Sequence, residues 1–218
     1  APRLAQRFDA GCVTDVTVID KTDSGLEFVR PAYGGTILER LFVSGPIRFA
    51  TVRSGSFEKP EAAEGSVEEK DMPFAEDILK AKVLDAAKEI TEAIDLEGAD
   101  VIVTGGRGMG DAEGFKLVEE LAALLGGVVG ASRPAIEAGW ASRAHQVGQS
   151  GKIVAPRLYI ACGVSGAMQH VSGIMGSKYI VAINKDEAAS IFDIADVGIV
   201  GDVKEILPLL IEEIKARK

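Results

Sequence analysis

Three short stretches hold the residues best suited to chemistry. The first is "GVSGAMQH", residues 163–170. A serine in a glycine-bounded turn after a strand is how a G-x-S-x-G nucleophile elbow is built. Here position 167 is Ala, and the base that a serine hydrolase needs is confined to His145 and His170, the two histidines of the sequence. His170 follows Ser165 by five residues, about one turn along the same small-residue segment, and would point away from a nucleophile at its start. Hydrolysis is rejected. The second stretch, "GQSGKI" (148–153), imitates a phosphate loop, but a Walker A sequence needs Gly at 146 and Ser or Thr at 153, where Gln and Ile stand. The third, "GGRGMG" (105–110), follows a strand-like run and precedes a helical one. Its spacing is G-x-G-x-G, not the dinucleotide fingerprint G-x-G-x-x-G, so a plain strand-to-helix turn explains it equally well.

Taken together the stretches point one way. Backbone N–H groups at the start of a helix attract an anion such as a diphosphate. Small residues at 163–167 let a ligand come close to the backbone. Arg107 and Arg133 follow strand ends, where a guanidinium can pair with phosphate or stack on a planar ring. Asn184 and Asp202 also end strands, placed to hold ribose hydroxyls or an adenine edge. Each has an ordinary alternative: Asn184 as a turn residue, Asp202 as the N-cap of the last helix. Their convergence at one sheet edge favours a dinucleotide site.

The elements that must position these residues are legible in outline. From about residue 99, apolar runs alternate with helical patterns: "ADVIVTGG", then the amphipathic "DAEGFKLVEELAALLGG", then "VVGAS", "RLYIACG", a small-residue helix "SGAMQHVSGIMG", "YIVAINK", "VGIVGD" and a terminal helix "VKEILPLLIEEIKA". This is the pattern of an α/β domain with a doubly wound parallel sheet, in which ligands bind at the carboxyl ends of the strands. Residues 12–60 read differently. "CVTDVTVID", "LEFVRPAY", "TILERLFVS" and "IRFATVRSG" are strands separated by short turns. Ahead of them, "APRLAQRFDAG" reads as a helix presenting Leu4, Ala5 and Phe8, with Gly11 as its C-cap. With no initiator Met, the start looks like a cut within a helix. Residues 57–75 are acidic and aperiodic, the expected linker. "DILKAKVLDAAKEIT" is helical by propensity, although a sheet could override it. The expected boundaries are therefore 1–75 for a β-rich part of one α/β domain plus linker, and 76–218 for the nucleotide-binding domain.

Composition narrows the function class. The sequence has 218 residues, 47% of them hydrophobic and 26% charged, which suits a globular protein with a full core. A net charge of −9 without a basic block argues against nucleic acid. Cys12 and Cys162 form no CxxC pair and predict no zinc site; they read as buried reduced thiols. No apolar run reaches the roughly 18 residues of a membrane span and no secretory leader opens the sequence, so a cytoplasmic protein without membrane insertion is expected.

"VTGGRG", "GASRPAIEAGW", "QVGQSGK", "PRLYIACGVSGAMQH", "SKYIVAINKD" and "ADVGIVGDV" occur in order over 101–203. Together they closely resemble the FAD-binding domain of the electron transfer flavoprotein alpha subunit, a likeness covering nearly all of 75–218. "FVRPAYGG" (28–35) resembles the end of that subunit's first domain. The resemblance implies a Rossmann-like FAD-binding domain preceded by a β-rich remnant of a second α/β domain, whose earlier strand–helix units are missing here. It implies an electron carrier beside a beta subunit, passing electrons between a flavoprotein dehydrogenase and another redox partner, and leaves open whether the carrier is of the electron-bifurcating type. Carried over residue by residue, it puts Arg107 and Ser132 at the diphosphate and Arg133 against the isoalloxazine ring. Val147, Gly148, Gln149 and Ser150 line the ring edge, with the Ser150 hydroxyl near N5. Ser165, Gly166, Ala167, Met168 and Gln169 wrap the diphosphate and ribityl chain. His170 approaches the pyrimidine end of the ring, while Asn184, Asp202 and its neighbour Val203 hold the adenosine half. The sequence departs from the family at "KDEAAS" (185–190), where prolines are common, and at Val197, where an aromatic is frequent. No catalytic residue and no metal are implied. In such a carrier, Arg133 or a charged His170 would favour the negative charge that reduction places on the flavin N1–C2–O2 side. The competing reading is a module that holds AMP, NAD or FAD without redox chemistry. A third, an NAD-linked dehydrogenase, lacks an acid–base pair near a hydride site.

Overall fold

The computed structural model describes residues 1–57, 61, 65–71 and 95–217. The expected boundary at 75/76 and the segment "DILKAKVLDAAKEIT" lie outside them. Ala1–Phe57 and Ile94–Lys218 form one compact unit.

The N-terminal part is β-rich, as its alternation and β-branched residues predict. Helix α1 (Pro2–Arg7) starts with Pro in its first turn and ends at Phe8. Gly11 is therefore not its C-cap: it opens strand β1 (Gly11–Val16), where a Cβ would collide with the Val43 side chain. β1 pairs in parallel with β5 (Arg48–Val52). β2 (Val18–Thr22), β3 (Gly25–Ala32) and β4 (Ile37–Phe42) form an antiparallel meander. The expected single strand "CVTDVTVID" is thus two strands in different sheets. The two separate at Thr17, just after an irregularity inside β1: Asp15 has a left-handed φ of 64°, and the β1–β5 register shifts between Val13 and Val16. The Arg53 guanidinium holds that carboxylate by two bonds of 2.9 and 2.6 Å.

The larger part is built on five parallel strands: β6 (Val101–Gly105), β7 (Val128–Ala131), β8 (Leu158–Cys162), β9 (Ile180–Asn184) and β10 (Val197–Val200). Their spatial order is β10-β9-β8-β6-β7. The chain begins in β6, steps to one side for β7, then crosses back for β8, β9 and β10. β6 and β8 thus flank the switch point at which the winding reverses, where ligands of doubly wound sheets collect.

One face is covered by two long helices. α2 (Ala112–Leu125) starts at Asp111, whose Oδ1 accepts from the Gly114 amide at 2.7 Å, and stops at left-handed Gly126. It buries Phe115, Val118, Leu121 and Ala122 against the sheet beside Leu207 and Ile211 of α5 (Val203–Arg217). The other face packs Ile102, Tyr159, Ala161 and Ala182 beneath irregular segments carrying Val147, Val154, Ile174 and Ile191. The small-residue helix expected over 165–176 shrinks to α4 (Met168–Val171), because Gly166 is left-handed and Ala167 extended before it. A cavity opens on this side, which among the described residues no long helix covers.

Candidate functional site

A cavity of about 940 Å³ lies over the carboxyl ends of β6, β7, β8 and β9. Its floor is the contact between two glycine turns. Gly106 N–H donates to Cys162 O at 2.8 Å and Gly108 N–H to Gly163 O at 2.9 Å. A Cβ on Gly108 would lie 2.7 Å from Gly163 Cα, and Gly163 itself has φ +63°. The glycines of "GGRGMG" thus bring two backbones together, and several of their amides are used inside the protein: Met109 N–H and Gly110 N–H also close a 3-10 turn. The free set of amides, expected in the turn after β8, is not in this one.

It is one loop further on. Among the described residues, the amides of Val164, Ser165, Gly166 and Ala167 have no acceptor, whereas Gly163 N–H and His170 N–H are bonded. Ser165 and Ala167 line the cavity with Gln169. Opposite stands Ser132, the N-cap residue of α3 (Arg133–Glu137). Its hydroxyl is buried, lines the cavity and has no hydrogen-bond partner. A buried unpaired hydroxyl costs on the order of 1–3 kcal/mol, so its natural complement is an acceptor atom of a ligand. Unpaired amides and an unpaired hydroxyl facing one cavity suit a phosphate-bearing cofactor.

Arg107 and Arg133 also line the cavity, both exposed. Among the described residues Arg107 has no ion-pair partner, and Arg133 Nε donates to Glu137 Oε1 at 2.8 Å. The wall from Val147 to Ser150 is held by Val147 N–H to Ala131 O, Gly148 N–H to Lys152 O and Gln149 N–H to Gln169 O. Gly148 takes φ +133° there, and its N–H side approaches the Gln169 backbone too closely for a side chain. Buried Gln146 donates through Nε2 to Ser150 Oγ at 2.9 Å, which leaves the Ser150 O–H free to donate into the cavity.

His170 lines the cavity but is 7% exposed. Its Nε2 lies 2.9 Å from Tyr159 OH. Burial disfavours the imidazolium and pushes the ring pKa down to about 4, against a smaller opposing effect of the Val147 backbone. The charged His170 expected from sequence is therefore corrected to a neutral one. The fixed cations of the cavity wall are Arg107, Arg133 and Lys185, with Asp186 the carboxylate among them.

Four expected residues lie outside the cavity lining. Gly166 carries φ +84° so that its backbone can pass Ile191. Met168 is exposed, its sulfur near Gly34. Asp202 caps α5, its Oδ1 accepting from Lys204 N–H at 2.8 Å, and Val203 is buried in the core. Asn184 does line the cavity, yet its side chain serves the turn: Nδ2 donates to Val164 O at 2.9 Å and Oδ1 accepts from Asp186 N–H at 3.0 Å. The departure at "KDEAAS" forms a compact turn, with Ala188 N–H on Asp186 Oδ1 at 3.1 Å. Sequence reasoning missed Gln146, Lys185, Asp186 and Ser190 as wall residues. Gln146 sits within "QVGQSGK", a motif already singled out, and that membership was the available signal.

A doubly wound parallel sheet with an anion-ready cavity at its switch point defines a nucleotide-cofactor-binding protein. Two family models match the sequence: "Electron transfer flavoprotein FAD-binding domain" over residues 95–175 and "Electron transfer flavoprotein domain" over 1–77. The chain is 46% identical over 223 residues to an electron transfer flavoprotein subunit alpha of Thermoanaerobacterium thermosaccharolyticum, covering all of this chain and 68% of the relative. It is 45% identical to the corresponding subunit of Bacillus subtilis (99% and 66%) and 47% identical to Protein FixB of Clostridium saccharobutylicum (98% and 66%). The chain belongs to the electron transfer flavoprotein alpha subunit family, spans about two thirds of the length of these relatives, and is a FAD-binding electron-transfer subunit.

FAD supplies reversible one- and two-electron redox chemistry when bound. The residues present fit it: a neutral, water-poor wall at His170 and Val147, cations at Arg107 and Arg133, a hydroxyl donor at Ser150, and unpaired donors at 164–167 and Ser132 for phosphate oxygens. Among the described residues no helix is long and apolar enough to cross a membrane.

Proposed function

We propose that this chain holds FAD in the cavity at the β6/β8 switch point and, beside a beta subunit, carries electrons between a flavoprotein dehydrogenase and a further acceptor in the cytoplasm. The observation that carries the proposal is that the unpartnered Ser132 hydroxyl and the unpartnered amides of Val164, Ser165 and Ala167 belong to residues lining one cavity. In this reading they take the diphosphate together with Arg107. Arg133 lies against the isoalloxazine, Val147 to Ser150 line its edge with the Ser150 O–H on N5, and His170 packs neutral against the ring. Asn184 shapes the adenosine end through the Val164 carbonyl, and Lys185 and Asp186 border it. Residues 76–218 make up the FAD-binding domain and 1–75 the end of a preceding one.

The test is a visible spectrum and redox titration of the full-length protein with its beta subunit. Bound flavin absorbance with two resolvable one-electron steps supports the carrier. A protein that binds FAD without reversible reduction, or that binds only AMP or NAD, is a nucleotide-binding module instead. Arg133→Ala is expected to lower the first reduction potential and weaken FAD retention; an unchanged first potential removes Arg133 from the ring.

A further inference from the structure

The cavity wall at His170 is backed by a buried phenol that never reaches the cavity. Tyr159, in the middle of β8, is fully buried, and its hydroxyl lies 2.9 Å from His170 Nε2. The rings sit 6.2 Å apart and are tilted by 57°, so the contact is edge-on through these polar atoms and not a stack. From these positions we infer that Tyr159 is a positioning residue for the cofactor site: it donates its O–H to His170 Nε2 and fixes the ring as the neutral Nδ1–H tautomer.

A phenol has one hydrogen to give, and burial holds the Tyr159 phenol pKa above its ordinary value, so the proton stays on oxygen. A buried O–H without an acceptor is costly. The buried Thr104 hydroxyl also acts on the phenol, opposing the upward shift as a donor to its oxygen does, so the phenol's own hydrogen goes to the ring nitrogen that faces it, and that nitrogen carries a lone pair. A neutral imidazole has a single N–H, which leaves it on Nδ1. Histidine in water prefers the other tautomer, with the proton on Nε2, so the protein reverses the ordinary preference. The other group acting on the ring is the backbone of Val147, itself a cavity-wall residue. Cys162 lies near the phenol, and burial pushes its thiol up to about 12, so it brings no charge. The consequence for the site is definite. Any N–H that His170 presents away from the core is Nδ1–H, and its Nε2 is unavailable to a ligand. This rests on the FAD reading only for its effect on potential; the tautomer itself does not depend on it.

The experiment is ¹⁵N-histidine NMR of the full-length protein with its beta subunit, with and without FAD. His170 is identified by difference from His170→Gln. The expected result is an unprotonated Nε2 and a protonated Nδ1 in both samples. In Tyr159→Phe, which keeps the ring volume, the populations should move toward Nε2–H, and the first reduction potential should shift while FAD stays bound. Ile174→Val, equally buried in the same cluster, should change neither. A protonated Nε2 in the unmodified protein, or an unchanged tautomer in Tyr159→Phe, overturns the inference. If Tyr159→Phe does not fold, the tautomer in the unmodified protein still decides it. A protein that takes up no flavin sinks the proposed function and leaves the tautomer measurement standing.

Discussion

Ser132 carries the clearest sign of a missing neighbour. Its hydroxyl is buried beside the cavity with nothing to bond. Ser132→Ala should leave the FAD-free protein as stable or slightly more stable, and weaken FAD binding about tenfold, or ~1.4 kcal/mol. Thermal melts without cofactor and flavin fluorescence titrations separate the two effects; equal affinity in both proteins would detach Ser132 from the ligand. His170 has the opposite character, being fully provided for by the protein. Its folded pKa of about 4 lies below the ordinary 6.5. Between these values the unfolded chain binds the proton and the folded one does not. Its contribution is therefore complete above about pH 6.5 and is lost as pH falls toward 4, up to about 3 kcal/mol in all. Denaturant unfolding across that window should be flatter in His170→Gln by nearly one proton. At this scale Arg107 and Arg133 were readable as wall residues from their positions after strands, and Ser150 from the family resemblance. The neutrality of His170 was not, because it comes from atoms brought in by β8 and from burial.

The elements matter chiefly through their ends. The turns after β6 and β8 are tied by two backbone hydrogen bonds and by three glycines that permit the approach. Gly163→Ala adds a Cβ 2.8 Å from the Gly108 backbone at φ +63°, so it should cost at least about 2 kcal/mol and remove FAD binding together with stability. Chemical denaturation reads this, and a variant as stable as the original would mean the turns are not held as described. Strand and helix patterns gave the five-stranded α/β part in its correct order of elements. Element ends were less legible. One expected strand ends at Val16 and a second begins at Val18, shortly after Asp15 takes a left-handed φ and pairs with Arg53, a residue 38 positions away. Gly166 and Ala167 shorten a segment that composition alone reads as helix. Asp202 satisfies the alternative that any strand–helix junction offers, since its carboxylate is spent on the cap of α5.

For the molecule as a whole, the cavity joins turns from four strands, and among the described residues no long helix covers that face. A cofactor seated there links those turns, so FAD should stabilise the fold by about 2.7 kcal/mol at a hundredfold excess over Kd and raise the melting temperature as its concentration increases. A melt insensitive to FAD would place the cofactor elsewhere. What the sequence determined by itself is the kind of fold and the kind of ligand. Apolar periodicity fixes strands and helices locally, and small residues with arginines after strands mark one edge of the sheet. Only the tertiary structure decided which donors are free. Two amides of "GGRGMG", Gly106 and Gly108, are taken by the end of β8 and its turn, those of 164–167 are not taken within the protein, and Tyr159 claims the nitrogen of His170. Hydrogen-bond satisfaction is a sum over neighbours distant in the chain, and no local pattern of residues carries it.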